Sequence, residues 1–190
     1  MELSIGAIVA RTESEGPGAR FALWVQGCRI RCAGCCNPQF FAARGGERVT
    51  TGALLERLRA AEQGLEGVTF LGGEPFDQAD ALAELAAGAR ALGLSVMTFT
   101  GYRLEDLRAR RHRGVSALLA ATDLLVDGPY DQTRPESLRR WVGSTNQRFH
   151  FLSGRYAPGS ELPGPGEPLR RVELELAPDG TVRAHGWPAL

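Results

Sequence analysis

The stretch Gln26-Gly27-Cys28-Arg29-Ile30-Arg31-Cys32-Ala33-Gly34-Cys35-Cys36-Asn37-Pro38 holds all four cysteines of the 190-residue chain. Thiols this close together cannot tie distant parts of a fold. A disulfide stabilises mainly by closing a long loop, and small secreted domains spread their cysteines along the chain. Clustered thiols point instead to a metal. The spacing Cys28-x3-Cys32-x2-Cys35 sets three thiolates on one tight loop. Cys36 follows directly, and neighbouring side chains of an extended segment face opposite ways. The spacing therefore predicts three good ligands and leaves Cys36 aside.

Two metal chemistries fit such a loop. A cubane [4Fe-4S] cluster normally takes four cysteine thiolates, so three leave one iron open to a ligand that is not protein. A structural zinc site needs a fourth ligand, with ligand pairs at characteristic spacings. His112, His150 and His185 lie far downstream and form no His-x3-His pair. A thiol cluster without a metal is the third alternative.

The remaining composition sets the frame. A chain of 190 residues, 43% hydrophobic and 23% charged, suits one soluble domain with a real core. No apolar run is long enough to span a bilayer. The start Met1-Glu2-Leu3-Ser4-Ile5-Gly6 lacks the basic and then apolar pattern of a secretory signal. The expectation is a cytoplasmic protein, where thiols stay reduced. With 22 basic and 22 acidic residues the formal charge is zero, which argues against phosphate neutralisation and hence against a nucleic-acid partner. The run Arg108 to Arg113 reads as a solvated helix end. Every basic residue among Lys and Arg is arginine, which excludes a Schiff-base lysine.

Along the chain, Ser4 to Ala10 reads as strand-like and Phe21 to Val25 as a buried strand, with the cysteine loop leaving its end. Thr51 is expected to cap a helix bearing Leu54, Leu55 and Leu58, closed by Gly64. Val68 to Leu71 is a second buried strand running into Gly72-Gly73-Glu74-Pro75, and Asp77 starts a helix that Gly93 ends. Ser95 to Thr100, Asp123 to Val126 and Arg148 to Leu152 complete the strands, with helical pieces over Leu104 to Arg111 and Val115 to Ala121. Alternation of this kind predicts an α/β fold with a parallel sheet and right-handed crossovers. Residues 153–169 are too rich in proline and glycine for regular structure and read as a linker. Residues 170–190 read as a β-hairpin, Val172 to Leu176 and Thr181 to Ala184 around Pro178-Asp179-Gly180, expected on the edge of the sheet.

A Gly-Gly turn after a strand is weak evidence alone, although glycines let a ligand approach the backbone. Beside a three-cysteine loop at the end of the preceding buried strand it says more. Together Cys28-x3-Cys32-x2-Cys35 and Gly72-Gly73-Glu74-Pro75 resemble the signature of the radical S-adenosylmethionine (SAM) enzymes. Gly16-Pro17-Gly18-Ala19-Arg20, Val25-Gln26-Gly27-Cys28, Thr100-Gly101-Tyr102, Leu125 to Pro129 and Gly143 to Gln147 narrow this. In that order they resemble the activating enzyme of anaerobic (class III) ribonucleotide reductase, in the glycyl-radical-activating branch.

The resemblance implies an incomplete (β/α) barrel of mostly parallel strands over residues 1–152, with the hairpin extension packed on the same domain. It implies that Cys28, Cys32 and Cys35 bind a [4Fe-4S] cluster whose fourth iron takes the amino and carboxylate groups of SAM. Gly72, Gly73, Glu74 and Pro75 would receive the methionine amino group, and Asn37, Thr100 and Asp127 are further candidates at the SAM site. An electron from a flavodoxin- or ferredoxin-type reductant would cleave SAM to methionine and a 5′-deoxyadenosyl radical, which takes hydrogen from a glycine of a partner glycyl radical enzyme. Two alternatives stand beside this: a radical SAM enzyme acting on a peptide or small molecule, and a non-catalytic zinc or iron-sulfur binding module. The sequence departs from the family at Cys36, where an aromatic or histidine near the adenine is usual, and in its extension after about residue 153.

Overall fold

The computed structural model describes residues 1–176 and 179–186. Its main strands, in chain order, are β1 (Glu2–Thr12), β2 (Arg20–Val25), β3 (Glu47–Thr50), β4 (Gly67–Gly72), β5 (Ser95–Phe99), β6 (Leu124–Asp127) and β7 (Arg148–Phe151). Four helices fall between them: α1 (Thr51–Ala61), α2 (Ala79–Ala91), α3 (Leu104–Ala109) and α4 (Arg113–Ala121). The strands form one sheet in the order β3-β1-β2-β4-β5-β6-β7. Strands β2, β4, β5 and β6 are parallel, as the strand-helix alternation predicts. Antiparallel strands flank this centre: β1 and β3 on one side, β7 on the other. No helix lies between β6 and β7, so the chain returns antiparallel instead of crossing over.

Strand alternation gives the sheet two different faces. Phe21, Leu23, Val25, Val68, Phe70, Val96 and Leu125 point one way and pack with Leu54, Leu58, Leu82, Leu85 and Leu118 of the helices. Ala22, Trp24 and Leu71 point the other way, as do Met97, Leu124 and Val126. Loops and the C-terminal segments cover that second face. The helices all serve one side, and the other is left for a site.

Element ends differ from the sequence reading in informative ways. Thr50, and not Thr51, caps α1: its side chain accepts the Ala53 amide at 3.1 Å. Thr51 is the first helical residue and donates its hydroxyl to Glu84 at 2.8 Å. The helix expected from Asp77 begins at Ala79, because Pro75 starts a 3-10 turn over Pro75–Gln78 first. Gly93 ends α2 as expected, at φ +82°.

Residues 153–169 contain turns and bends but no helix or strand. They are nevertheless tied down. Tyr156 Oη accepts from the fully buried Arg20 at 3.1 Å and lies 2.6 Å from Ser95 Oγ. Strands β8 (Val172–Leu176) and β9 (Val182–Gly186) then form a hairpin, as expected, but in a separate two-stranded sheet. It does not extend an edge of the main sheet. Ala177, Pro178 and residues 187–190, which the sequence reading includes in this extension, lie outside the described residues. Side-chain contacts, not a strand ladder, hold it: Glu173 Oε1 accepts the Glu13 amide and Glu15 Oε1 accepts the Gly186 amide, both at 2.7 Å.

Candidate active site

The parallel strands end together, and ligand sites of parallel α/β proteins lie beyond those ends. Chain segments leaving β2, β4, β5 and β6 surround a cavity of about 850 Å³. From the loop after β2 come Cys28, Cys32, Cys35, Cys36 and Asn37. Gly72, Gly73 and Glu74 come from the end of β4, Thr100 from β5 and Gly128 from β6. The apolar wall is the helix-free face of the sheet, with Trp24, Leu71 and Phe99.

Hydrogen bonds join the cysteine loop to the glycine turn. The Gly73 amide donates to Val25 O and the Glu74 amide to Gly27 O, each at 2.8 Å. The approach depends on glycine at position 73, because a Cβ there would meet Gly27 O and, at 2.9 Å, Val25 O. Gly72 adopts φ +99°, and its missing Cβ leaves room for the Trp24 backbone.

Glu74 is buried and turned inward. Its Oε1 accepts the Phe76 amide at 2.9 Å and the Thr100 hydroxyl at 2.8 Å, while Oε2 accepts the Gly101 amide at 2.9 Å. Burial pushes its carboxyl up to about 7, and those hydrogen bonds pull the other way. The side chain thus clasps the end of β4 to the end of β5. Thr100 acts on this clasp, and its Oγ1 also accepts the Tyr102 amide at 3.1 Å.

The three cysteines of the spaced motif are half-buried. Burial pushes the Cys28 and Cys32 thiols up, against hydrogen bonds from the Arg31 and Ile30 backbone to Cys28 and from the Tyr130 backbone to Cys32. Cys35 is held down to about 6, first by a hydrogen bond from the Cys36 thiol, whose own proton is held correspondingly tightly. The Asn37 amide also points at Cys35 Sγ, at 3.4 Å. Amide donors of this kind are what thiolates of an iron-sulfur cluster receive, so the residues present fit that group. Among the described residues no three His, Cys, Asp or Glu side chains converge on a single-ion site. A cubane spreads its thiolates over separate irons and does not require such convergence.

The sequence reading needs three corrections here. Cys36 does not point away from Cys35, because the chain bends there and is not extended. Pro75 is buried at the start of the 3-10 turn and does not line the cavity. Asp127 is fully buried and also stands outside the cavity: its Oδ2 accepts the Leu104 amide at 2.6 Å, starting α3, and Arg148 binds both its oxygens. Asn37 and Thr100 do line the cavity. Sequence reasoning missed Trp24, whose place follows from its opposite parity to Leu23 and Val25 on β2. It also missed Glu15 and His185 on the cavity wall. Glu15 is pushed up to about 7 by burial, against the Gly186 amide.

This fold and this cysteine loop define a single-cluster iron-sulfur protein class: residues 14–150 match the family described as "4Fe-4S single cluster domain". Among curated proteins, the anaerobic ribonucleoside-triphosphate reductase-activating protein of Enterobacteria phage T4 is 30% identical over 139 residues, covering 70% of this chain and 85% of that one. The protein of the same name from Vibrio cholerae is 31% identical, covering 71% and 89%, and that from Escherichia coli K12 is 29% identical, covering 72% and 91%. The chain belongs to the family of anaerobic ribonucleoside-triphosphate reductase-activating proteins. The crystal structure of QueE from Escherichia coli aligns with a TM-score of 0.46 at 18% identity, over 65% of this chain and 68% of that one, a likeness too distant to bear on chemistry.

Proposed function

We propose that this chain is a radical SAM enzyme that generates a glycyl radical on a partner of the anaerobic ribonucleotide reductase type. The observation that carries the reading is the meeting of the Cys28, Cys32 and Cys35 loop with the Gly72-Gly73-Glu74 turn in one cavity. Cys28, Cys32 and Cys35 would hold a [4Fe-4S] cluster, and the turn Gly72-Gly73-Glu74 would receive the amino end of SAM. When bound, the pair would supply one-electron reductive cleavage of SAM and, through it, removal of a hydrogen atom from a glycine Cα. The electron comes from an external flavodoxin- or ferredoxin-type reductant.

The chain's own residues bind, orient and exclude water. Glycines 72 and 73 let a ligand approach backbone carbonyls, the acceptors an ammonium group needs. Glu74 and Thr100 hold that turn against β5, so Thr100 is a positioning residue. Asn37 supports Cys35 through its amide and stands 3.4 Å from Cys36 Sγ through Nδ2. Trp24, Leu71 and Phe99 make the wall apolar, which helps keep water from the reacting groups. Asp127 stands outside the cavity wall, where it ties the start of α3 to Arg148 and His150 of β7.

We read the one-sided sheet as an incomplete (β/α) barrel over residues 1–152, with 153–169 as a linker and 170–190 as a hairpin extension packed on the same domain. A cytoplasmic setting suits free thiols awaiting iron. No helix among the described residues is long and apolar enough to cross a membrane. The test is to incubate the reduced, iron-loaded protein with SAM and an anaerobic ribonucleotide reductase. The reading predicts 5′-deoxyadenosine together with a glycyl electron paramagnetic resonance doublet on the reductase. SAM cleavage with no radical on the reductase would contradict the partner and direct the search to a peptide or small molecule.

A further inference from the structure

We propose that the C-terminal hairpin is a gate over this cavity, controlling what reaches the cysteine loop. What passes the gate depends on the activase reading; the gate itself depends only on geometry. The family match ends at residue 150, so the hairpin belongs to the unmatched part of the chain. Its Val172, Ala184, His185 and Gly186 nevertheless line the cavity that holds Cys28, Cys32 and Cys35. The His185 ring lies against Trp24 on the apolar wall, centroids 5.7 Å apart and tilted by 37°.

The way the hairpin is held makes it removable. An antiparallel pair that covers a site for good turns its apolar face inward. This one does so only at its base: Val172, Ala184 and Gly186 line the cavity, while Leu174, Leu176 and Val182 of the same face are 67%, 76% and 57% exposed. Besides the His185 ring on Trp24, its attachments are a few polar latches. Glu173 takes the Glu13 amide, Glu15 takes the Gly186 amide, and Arg171 Nη1 pairs with Glu13 Oε2 at 2.6 Å. The Arg171 and Glu13 side chains are 45% and 51% exposed, and pairs of that kind contribute little. Among the described residues neither β8 nor β9 joins another strand, and a lone two-stranded hairpin is marginal in water.

Closed, the hairpin lines one side of the cavity and narrows the approach of a polypeptide to the cysteine loop, whose Cys28, Cys32 and Cys35 stay half-buried. Open, it admits the glycine-bearing segment of a protein partner. One residue sets the closed position. Gly186 adopts φ +94°, and a Cβ there would meet Arg171 O and, at 2.8 Å, Ser14 Cβ. Gly186→Val therefore wedges the hairpin off its seat without touching a cysteine.

The experiment uses cluster-free full-length protein in a Cys36→Ser background, so that only the three cavity thiols report. Alkylation rates with a small reagent, iodoacetamide, are compared with those of a polyethylene-glycol maleimide. The gate predicts that the parent protein excludes the bulky reagent, that Gly186→Val reduces this discrimination by about tenfold or more, and that Arg171→Ala, which adds no strain, reduces it roughly twofold. Hydrogen exchange of residues 172–176 and 182–186 should accelerate in step, with β4 and β5 unchanged. Equal discrimination in the parent and Arg171→Ala proteins, or hairpin amides that exchange in the parent as fast as unstructured chain, would overturn the gate. If Gly186→Val does not fold, the parent and Arg171→Ala still decide. Normal gating in a protein that never cleaves SAM would leave the gate standing and remove the activase reading instead.

Discussion

Gly73 and Glu74 show how single positions set this site. The Gly73 amide and the bare Cα let the turn after β4 lie on the first peptide of the cysteine loop. Gly73→Ala pushes a methyl group into Gly27 O, so we expect a loss of about 1–3 kcal/mol in denaturant unfolding and SAM binding weaker by roughly tenfold. Glu74 makes a pH prediction. Its folded pKa is raised from 4.5 to about 7, so the folded chain keeps this proton after the unfolded chain has released it. Its contribution to stability is full below pH 4.5 and is lost as pH rises towards 7. In cluster-free protein, Glu74→Gln should remove a fall on the order of 3 kcal/mol across that window, read from urea midpoints at pH 5 and 7. Glu15, also raised to about 7, leaves part of the slope in place. The motif made Glu74 legible in the sequence. Its inward turn was not, because the partners Thr100 and Gly101 come from a different strand.

At the scale of elements, local pattern and tertiary context divide the credit. Strands β2, β4, β5 and β6 were readable because each is a continuous buried run, and parallel strands covered on both faces read that way. Strand β3 was invisible: it is four residues long and buries only Val49 among exposed neighbours, so it has no periodicity to find. Asp127 was misplaced because a carboxylate at a strand end serves a ligand or the next helix equally well, and only the partner Arg148 decides. The geometry predicts that Asp127→Ala leaves the Leu104 amide without its acceptor, while the half-exposed Arg148 keeps Glu105, and costs about 1–3 kcal/mol. SAM affinity of the folded fraction should stay unchanged. A weakened affinity, measured below the unfolding transition, would return Asp127 to the site.

The whole molecule is a sheet with helices on one face and a cavity on the other, lined in part by the C-terminal hairpin. The sequence disclosed the alternation that builds the sheet and the cysteine loop that gives the cavity its chemistry. It did not disclose the hairpin's place, because alternating residues in Val172 to Leu176 specify two faces without specifying which one turns inward. The central claim is that the Cys28, Cys32 and Cys35 loop leaves one iron open for SAM beside the Gly72-Gly73 turn. Electron paramagnetic resonance of the anaerobically reconstituted, reduced protein, recorded with and without SAM, tests it most directly. The account predicts a [4Fe-4S]+ signal that changes when SAM is added and that is lost in Cys32→Ala. A signal indifferent to SAM, or protein that takes up zinc and no iron, would contradict it.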